Sequence, residues 1–210
     1  MNSVSILVAD DHPVVRVGIR SLLETNGWKI AAEASNGREA VERARKLRPD
    51  LAILDISMPL LNGLESARKI AKQSPKTHVL ILTVYDSEEM LLKILDSGAG
   101  LVRKSEAGKE LVAAVRAVLN DKLFFPSVAS PALRGARRWK SVAGQSRLTA
   151  RETEILQLIA EGRSNKETAS ILGISQRTAE NHRARVMRKL GLSSLSDLVR
   201  YAIRNQIVAA

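Results

Sequence analysis

The chain has 210 residues, enough for one large domain or two small ones. It contains no cysteine, which excludes disulfides, thiolate nucleophiles and cysteine-based zinc sites. The formal net charge of +11 is uneven, because residues 1–120 carry 17 basic and 15 acidic side chains and residues 121–210 carry 16 and 7. The second part therefore suits a polyanion such as nucleic acid. With no signal-peptide pattern and no membrane-spanning apolar run, we expect a cytoplasmic protein without a membrane partner.

Short apolar runs alternate with helical apolar spacing through residues 1–120. The runs predict strands over residues 4–9, 28–34, 51–55, 77–83 and 100–103. The spacing predicts helices over residues 13–24, 37–47, 64–73, 88–96 and 107–119. Regular alternation predicts an α/β fold, with a doubly wound five-stranded parallel sheet that has its own core.

Polar side chains stand where four of these strands end. They are Asp10, Asp11, Asp55, Thr83 and Lys104. Ligands bind at the carboxyl ends of such sheets, so these groups should converge in one crevice. Clustered carboxylates repel one another unless a hard cation joins them, which predicts a Mg²⁺ site. The adjacent amine can balance added negative charge, which favours an acyl phosphate at this site.

Residues 121–147 show no sustained period. They contain Pro126, Pro131 and the basic run Arg134–Arg138. This composition predicts a flexible basic linker. An alternative interpretation is that Arg137 and Arg138 contact nucleic-acid phosphates.

Residues 148–210 show helical spacing and no strand pattern. Four helices are predicted from N-terminal caps at Thr149, Ser164, Ser175 and Ser194. Only Leu172–Ser175, with a glycine, separates the second helix from the third, which predicts a helix-turn-helix. The outward face of the third helix should enter the major groove of DNA. That face carries Gln176, Arg177, Glu180, Asn181, Arg183, Ala184, Arg185 and Arg188.

With these residues in view, the chain resembles NarL/FixJ-type two-component response regulators, which join a flavodoxin-like phosphoryl-receiver domain to a LuxR-type helix-turn-helix domain. The motifs that carry the resemblance lie at 8–13, 54–59 with Gly63, 98–104, 148–152, 164–167 and 178–183. The resemblance implies a receiver over 1–120 and a DNA-binding domain over 148–210. It also implies that the protein regulates transcription and is not an enzyme.

The resemblance implies a role for each matched residue. Asp55 would accept the phosphoryl group from a histidine kinase. Asp11, Asp55 and the Ser57 carbonyl would bind Mg²⁺ directly, and Asp10 would act mainly through water. Thr83 and Lys104 would contact the phosphoryl oxygens. Lys166, Thr178 and His182 join the predicted DNA contacts.

The sequence departs from the family pattern at three places. Leu101 occupies the position where the family usually carries a switch aromatic, and Tyr85 is a candidate substitute. Ser105 follows Lys104, so the cis-proline common in other receivers is absent, and Ala179 replaces a usual valine. Two alternatives therefore stay open: a DNA-binding regulator that works without phosphate, and a Mg²⁺-dependent phosphatase-like enzyme with a DNA-binding module.

Partners follow from the same resemblance. We expect a palindromic double-stranded DNA site, a homodimer on activation and RNA polymerase as a further partner. The predicted last helix, Leu195–Asn205, offers a surface for the dimer. We also expect the unphosphorylated receiver to hinder the DNA-binding helix.

Overall fold

The computed structural model describes residues 3–84, 87–125 and 148–208. Tyr85 and residues 126–147 of the predicted linker lie outside the described residues. None of the described helices is long and apolar enough to cross a bilayer. The description therefore covers two units, a sheet unit before the predicted linker and a helical unit after it.

The sheet unit contains five parallel strands. They are β1 (Ser5–Ala9), β2 (Lys29–Ala34), β3 (Leu51–Asp55), β4 (His78–Thr83) and β5 (Gly100–Arg103). Their order across the sheet is β2-β1-β3-β4-β5, which confirms the predicted doubly wound topology. The winding reverses between β1 and β3, where Ala9 pairs with Leu54. The residues that follow these two neighbouring strands are therefore brought together at the carboxyl edge.

Helices cover both faces of this sheet. They are α1 (Pro13–Thr25), α2 (Gly37–Leu47), α3 (Gly63–Gln73), α4 (Glu88–Asp96) and α5 (Ala107–Val118), with a 3-10 turn at Lys104–Glu106 before α5. Successive strand residues point to opposite faces, so Leu54 packs in one apolar core and Ile53 in the other. The first core lies under α2, α3 and α4, and the second under α1 and α5. Burial on both faces explains why the strands are almost wholly apolar.

The helical unit contains α6 (Ala150–Ala160), α7 (Asn165–Leu172), α8 (Gln176–Leu190) and α9 (Leu195–Arg204). Thr149, Ser164 and Ser194 form the predicted capping boxes, and the Ser175 hydroxyl accepts from the Thr178 amide. Gly173 ends α7 at φ 64°, a left-handed conformation that glycine adopts without steric cost. The tight turn places α8 across α7, as the helix-turn-helix prediction requires.

Candidate functional site: an acidic pocket and an exposed basic helix

Three carboxylates meet at the carboxyl ends of β1 and β3. Asp10 and Asp55 are almost fully buried, whereas the Asp11 side chain is 33% exposed. Asp10, Asp11, Asp55 and His12 each offer one ligand atom, and these atoms all lie within 4.8 Å of one another. His12 Nδ1 lies 2.8 Å from Asp11 Oδ1 and 3.2 Å from Asp10 Oδ1. The predicted convergence of the acidic residues is confirmed, and the His12 imidazole lies beside them.

Lys104 supplies the positive charge in this pocket. Its Nζ lies 2.7 Å from Asp10 Oδ2 and 2.9 Å from Asp55 Oδ1. Burial opposes the charge on this ammonium, but its hydrogen bonds to Asp10 and Asp55 outweigh burial and raise the pKa of Lys104. The lysine comes from the turn after β5, which β4 separates from β3, and its long side chain spans the distance to the carboxylates that follow β1 and end β3.

Burial raises the pKa of the Asp55 carboxyl from its ordinary value. The Lys104 ammonium opposes this shift, and the charges of Asp10 and Asp11 add to it. Asp55 Oδ2 is buried without a hydrogen-bond partner among the described residues. An ionised carboxylate with an unpaired buried oxygen is costly, so the pocket favours a bound cation. Oxygen donors at this density fit Mg²⁺, a hard ion.

Thr83 ends β4 and is fully buried beside this pocket's edge of the sheet. Leu101 is fully buried within β5 and packs in the core with α4, where it has no polar group to offer. The other candidate for the switch position, Tyr85, falls outside the described residues.

The loop from Ile56 to Asn62 closes tightly against the pocket. The Gly63 amide donates to the Ile56 carbonyl at 2.9 Å, which folds the loop back on itself. A Cβ on Gly63 would lie 2.1 Å from the Asp55 carbonyl oxygen, so only glycine fits there. Ser57 is part of this loop and is partly buried.

The second candidate site is the outward face of α8. Its exposed side chains are Gln176, Arg177, Asn181, Ala184, Arg185 and Arg188, and its partly exposed ones are Thr178, Glu180, His182 and Arg183. Lys166 of α7 is also exposed. Ala179 and Val186 lie on the opposite side of α8 and are buried. The predicted division of this helix into an inward and an outward face is therefore confirmed.

The basic side chains of this face differ in their partners. Arg177 lies 3.7 Å from Glu180, which itself accepts from the Gln176 amide. Among the described residues, no ion pair engages Arg183, Arg185 or Arg188. Arginine side chains without an ion-pair partner are suited to phosphate contacts, because their guanidinium donors are available.

The sheet unit contacts the helical unit through α6. Gln157 of α6 is 1% exposed, and its amide bonds the backbone of Met58 and Asn62 in the loop after Asp55. Glu154 of α6 pairs with Arg38 at 3.0 Å. The expectation that the unphosphorylated receiver hinders the DNA-binding helix stays a prediction. Sequence reasoning missed this contact, for which the chain offers a weak signal, a single glutamine at position 157 within the apolar run 155–160.

Comparisons with known proteins agree with this geometry. Residues 6–116 match the response regulator receiver domain, and residues 146–202 match the bacterial regulatory proteins of the luxR family. A transcriptional regulator of Pseudomonas aeruginosa is 37% identical over 97% of this chain and 99% of its own length. The oxygen regulatory protein NreC of Staphylococcus aureus is 36% identical, with 97% and 98% covered.

A solved structure is similar along the whole chain. RcsB of Salmonella enterica serovar Typhimurium, bound to the promoter rprA with a phosphomimetic, matches at 29% identity and a TM-score of 0.63. The match covers 95% of this chain and 98% of RcsB. The chain therefore belongs to the response regulators that join a receiver domain to a LuxR-type helix-turn-helix domain.

Proposed function

We propose that this response regulator accepts a phosphoryl group on Asp55 and binds double-stranded DNA through α8. The observation that carries the first half is the pocket of Asp10, Asp11 and Asp55 with the Lys104 ammonium between two of the carboxylates. We propose residues 1–120 as the receiver, 121–147 as the linker and 148–210 as the DNA-binding domain.

Asp55 is the proposed nucleophile. One of its oxygens forms the bond to phosphorus while the bond from phosphorus to the histidine of a partner kinase breaks. Asp55 Oδ1 is held by Lys104, which fixes the orientation of the carboxylate. As the phosphoryl group arrives, the same ammonium pairs with its oxygens, and the Thr83 hydroxyl at the neighbouring strand end is the second proposed donor.

Mg²⁺ is the proposed cofactor, held by Asp11, Asp55 and the Ser57 carbonyl, with Asp10 acting mainly through water. When bound, it neutralises charge on the transferred phosphoryl oxygens. Its fit is supported by the unpaired buried oxygen of Asp55 and by the clustered oxygen donors. Asp10 and Asp11 would hold the ion beside Asp55, which also contacts the Lys104 ammonium.

The α8 face is the proposed DNA interface. Arg183, Arg185 and Arg188 bind phosphates, and Asn181 pairs with a base edge through its amide. The net charge of residues 121–210 supports a polyanionic partner. Lys166, Gln176, Arg177, Thr178, Glu180 and His182 are the remaining proposed contacts. Because DNA is the proposed partner, the proposed location is the cytoplasm.

A dimer on a palindromic site is the proposed DNA-bound form. The RcsB structure holds promoter DNA together with a phosphomimetic, and another holds two RcsB dimers on DNA. In this chain α9 leaves Leu195 and Ile203 exposed, 47% and 37% respectively, which gives a second copy apolar surface to cover. RNA polymerase remains a proposed partner of the DNA-bound dimer.

Intact-mass analysis after incubation with Mg²⁺ and acetyl phosphate tests the phosphoacceptor. Wild type should gain one phosphoryl group, and Asp55→Asn should gain none. Asp96→Asn is the matched control, because it removes an exposed aspartate at the end of α4 and should leave the adduct intact. An equal adduct on wild type and Asp55→Asn would refute the assignment.

The enzyme alternative predicts a different time course. A regulator holds its aspartyl phosphate after the donor is removed, whereas a phosphatase-like enzyme releases many equivalents of inorganic phosphate per chain. Release of phosphate measured against adduct mass separates the two, and we propose the regulator because the chain matches the receiver family over residues 6–116 and the luxR family over residues 146–202.

A further inference from the structure

Arg16 of α1 reaches back to the backbone of Asp10, at the junction between β1 and α1. Its Nη1 donates to the Asp10 carbonyl at 2.7 Å. A bond this short from a charged donor is stronger than an ordinary hydrogen bond between neutral groups. The Arg16 side chain is 17% exposed, so the bond is partly shielded from water, which strengthens it. A side chain of α1 therefore holds the chain at the point where the acidic pocket begins.

The second contact of Arg16 is with Glu33 in β2. Arg16 Nε donates to Glu33 Oε2 at 3.2 Å. Arg20, one turn later on α1, donates from its Nη1 to Glu33 Oε1 at 2.7 Å. The guanidinium group is a rigid planar fork, so the bond at Nε fixes the direction in which Nη1 can donate. Glu33 thereby orients Arg16 toward the Asp10 carbonyl.

Both polar groups of the Asp10 backbone are held in this arrangement. The Asp10 amide donates to the Ala34 carbonyl at the end of β2 at 3.2 Å, and the Asp10 carbonyl accepts from Arg16. This carbonyl lies in the same planar peptide unit as the amide nitrogen and the Cα of Asp11. Holding it therefore fixes the direction in which the chain enters Asp11. Asp10 and Asp11 are two of the three carboxylates in the acidic pocket, so Arg16 affects the position of both.

We propose that Arg16, oriented by Glu33, is a positioning residue for the Mg²⁺ site. The inference rests on the proposed Mg²⁺ site at Asp10, Asp11 and Asp55. Mg²⁺ requires nearly ideal octahedral geometry with ligand distances of about 2.0–2.1 Å, so a small displacement of a ligand lowers the affinity. Arg16 acts on the ion through the backbone of Asp10 and Asp11 and not by direct contact.

The geometry and the charge of Arg16 predict opposite effects on the metal. Its guanidinium group carries a positive charge near the pocket, and a positive charge repels a cation. If charge were its whole effect, removing the side chain would strengthen Mg²⁺ binding. If Arg16 positions Asp10 and Asp11, removing it weakens Mg²⁺ binding. The sign of the change in affinity therefore distinguishes a positioning role from an electrostatic one.

Arg20 provides a matched comparison for Arg16. The two arginines lie on the same helix, carry the same charge and bind the same carboxylate, Glu33. They differ in the bond to the Asp10 carbonyl, which Arg16 donates. Substitution by methionine removes the charge and the donors but keeps an apolar side chain of high helix propensity. Arg16→Met and Arg20→Met therefore differ in the loss of the contact with Asp10.

Calorimetric titration of Mg²⁺ into the full-length chain tests the proposal, with urea unfolding measured on the same samples. Arg16→Met should bind Mg²⁺ about 10-fold more weakly than wild type, the lower end of the losses that follow removal of a group supporting a metal ligand. Arg20→Met should bind Mg²⁺ at least as tightly as wild type, even where both substitutions lower the free energy of unfolding. Arg16→Lys keeps the charge but loses the planar fork, so it should also bind Mg²⁺ more weakly than wild type.

The outcomes separate the role of Arg16 from the proposed function. If Arg16→Met binds Mg²⁺ with unchanged or higher affinity, the positioning role is overturned and the proposed function stands. An equal loss in Arg16→Met and Arg20→Met also overturns it, because the loss would then follow the contact with Glu33 or general stability. If Arg16→Met does not fold, Arg16→Lys decides, and an affinity equal to that of wild type overturns the proposal. If wild type and Asp55→Asn both fail to bind Mg²⁺, the proposed metal site falls and the role of Arg16 falls with it.

Discussion

Arg185 is exposed on the outward face of α8 and, within the described part of the chain, forms no ion pair. If it binds one phosphate, Arg185→Ala should reduce the slope of log affinity against log salt by about 0.9 per copy. Two copies on a palindrome double this to about 1.8. Between 50 and 200 mM salt, a four-fold change, wild type should therefore lose about 12-fold more affinity than the variant.

The slopes of wild type and of Arg185→Ala can be measured by fluorescence anisotropy, with a labelled duplex titrated at several salt concentrations. Arg116→Ala is the matched control, because it removes the same charge from an exposed position on α5 of the receiver. In the plot of log affinity against log salt, Arg116→Ala should change the intercept slightly and leave the slope unchanged. A change at Arg185 should appear with random-sequence DNA as well, since phosphates carry no sequence information.

Two results would refute this reasoning. An unchanged slope for Arg185→Ala, with the same affinity as wild type, would mean that the side chain does not reach a phosphate. An equal change of slope for Arg116→Ala would mean that the salt dependence reflects net charge and not the α8 face.

Three further predictions concern single side chains. Asn181→Ala should lower the ratio of specific to non-specific affinity by about 5- to 150-fold, measured with competitor duplexes, because a lost bidentate base contact costs about 1–3 kcal/mol; an equal loss on both kinds of DNA would contradict a base contact. Gly63→Ala places a Cβ 2.1 Å from the Asp55 carbonyl oxygen. Urea unfolding should therefore show a loss of about 1–3 kcal/mol in the free energy of unfolding, and Mg²⁺ binding should weaken. An unchanged free energy of unfolding would show that the loop can move aside. Burial raises the pKa of the Glu161 carboxyl above its ordinary value of 4.5, so this carboxyl binds a proton more readily when the two units are docked. Docking should therefore be strongest at low pH and should weaken as the pH rises through the raised pKa. Scattering across this range should show the radius of gyration rising with pH in wild type but not in Glu161→Gln, and equal pH dependence in both would refute the role of this carboxyl.

Much of the pocket could be predicted from order along the chain. Asp10, Asp55 and Thr83 each follow an apolar run, and in a parallel sheet the ends of neighbouring strands meet at one edge. The capping serines and Gly173 were equally predictable, because caps and left-handed turns depend on a few local residues. These are local or periodic features, and a sequence displays them directly.

The docking of α6 was not predictable in the same way. Gln157 and Glu161 are polar residues on a helix, and such residues ordinarily face solvent. Their burial depends on the loop 58–62, about 100 positions earlier in the chain, and on the left-handed conformation of Leu60. A contact between distant segments leaves no periodic trace in either of them.

The sequence by itself therefore determined the two units, the doubly wound parallel sheet, the identity of the pocket residues and the outward face of α8. It did so because hydrophobic periodicity and the geometry of parallel sheets relate each residue to its own element. Only the tertiary structure decided that Lys104 bridges Asp10 and Asp55, that Asp55 Oδ2 is left unpaired, and which helix of the second unit touches the first. Those facts depend on contacts between side chains of different elements. The hydrophobic pattern of the sequence allows several such arrangements, and a few hydrogen bonds stabilise one of them.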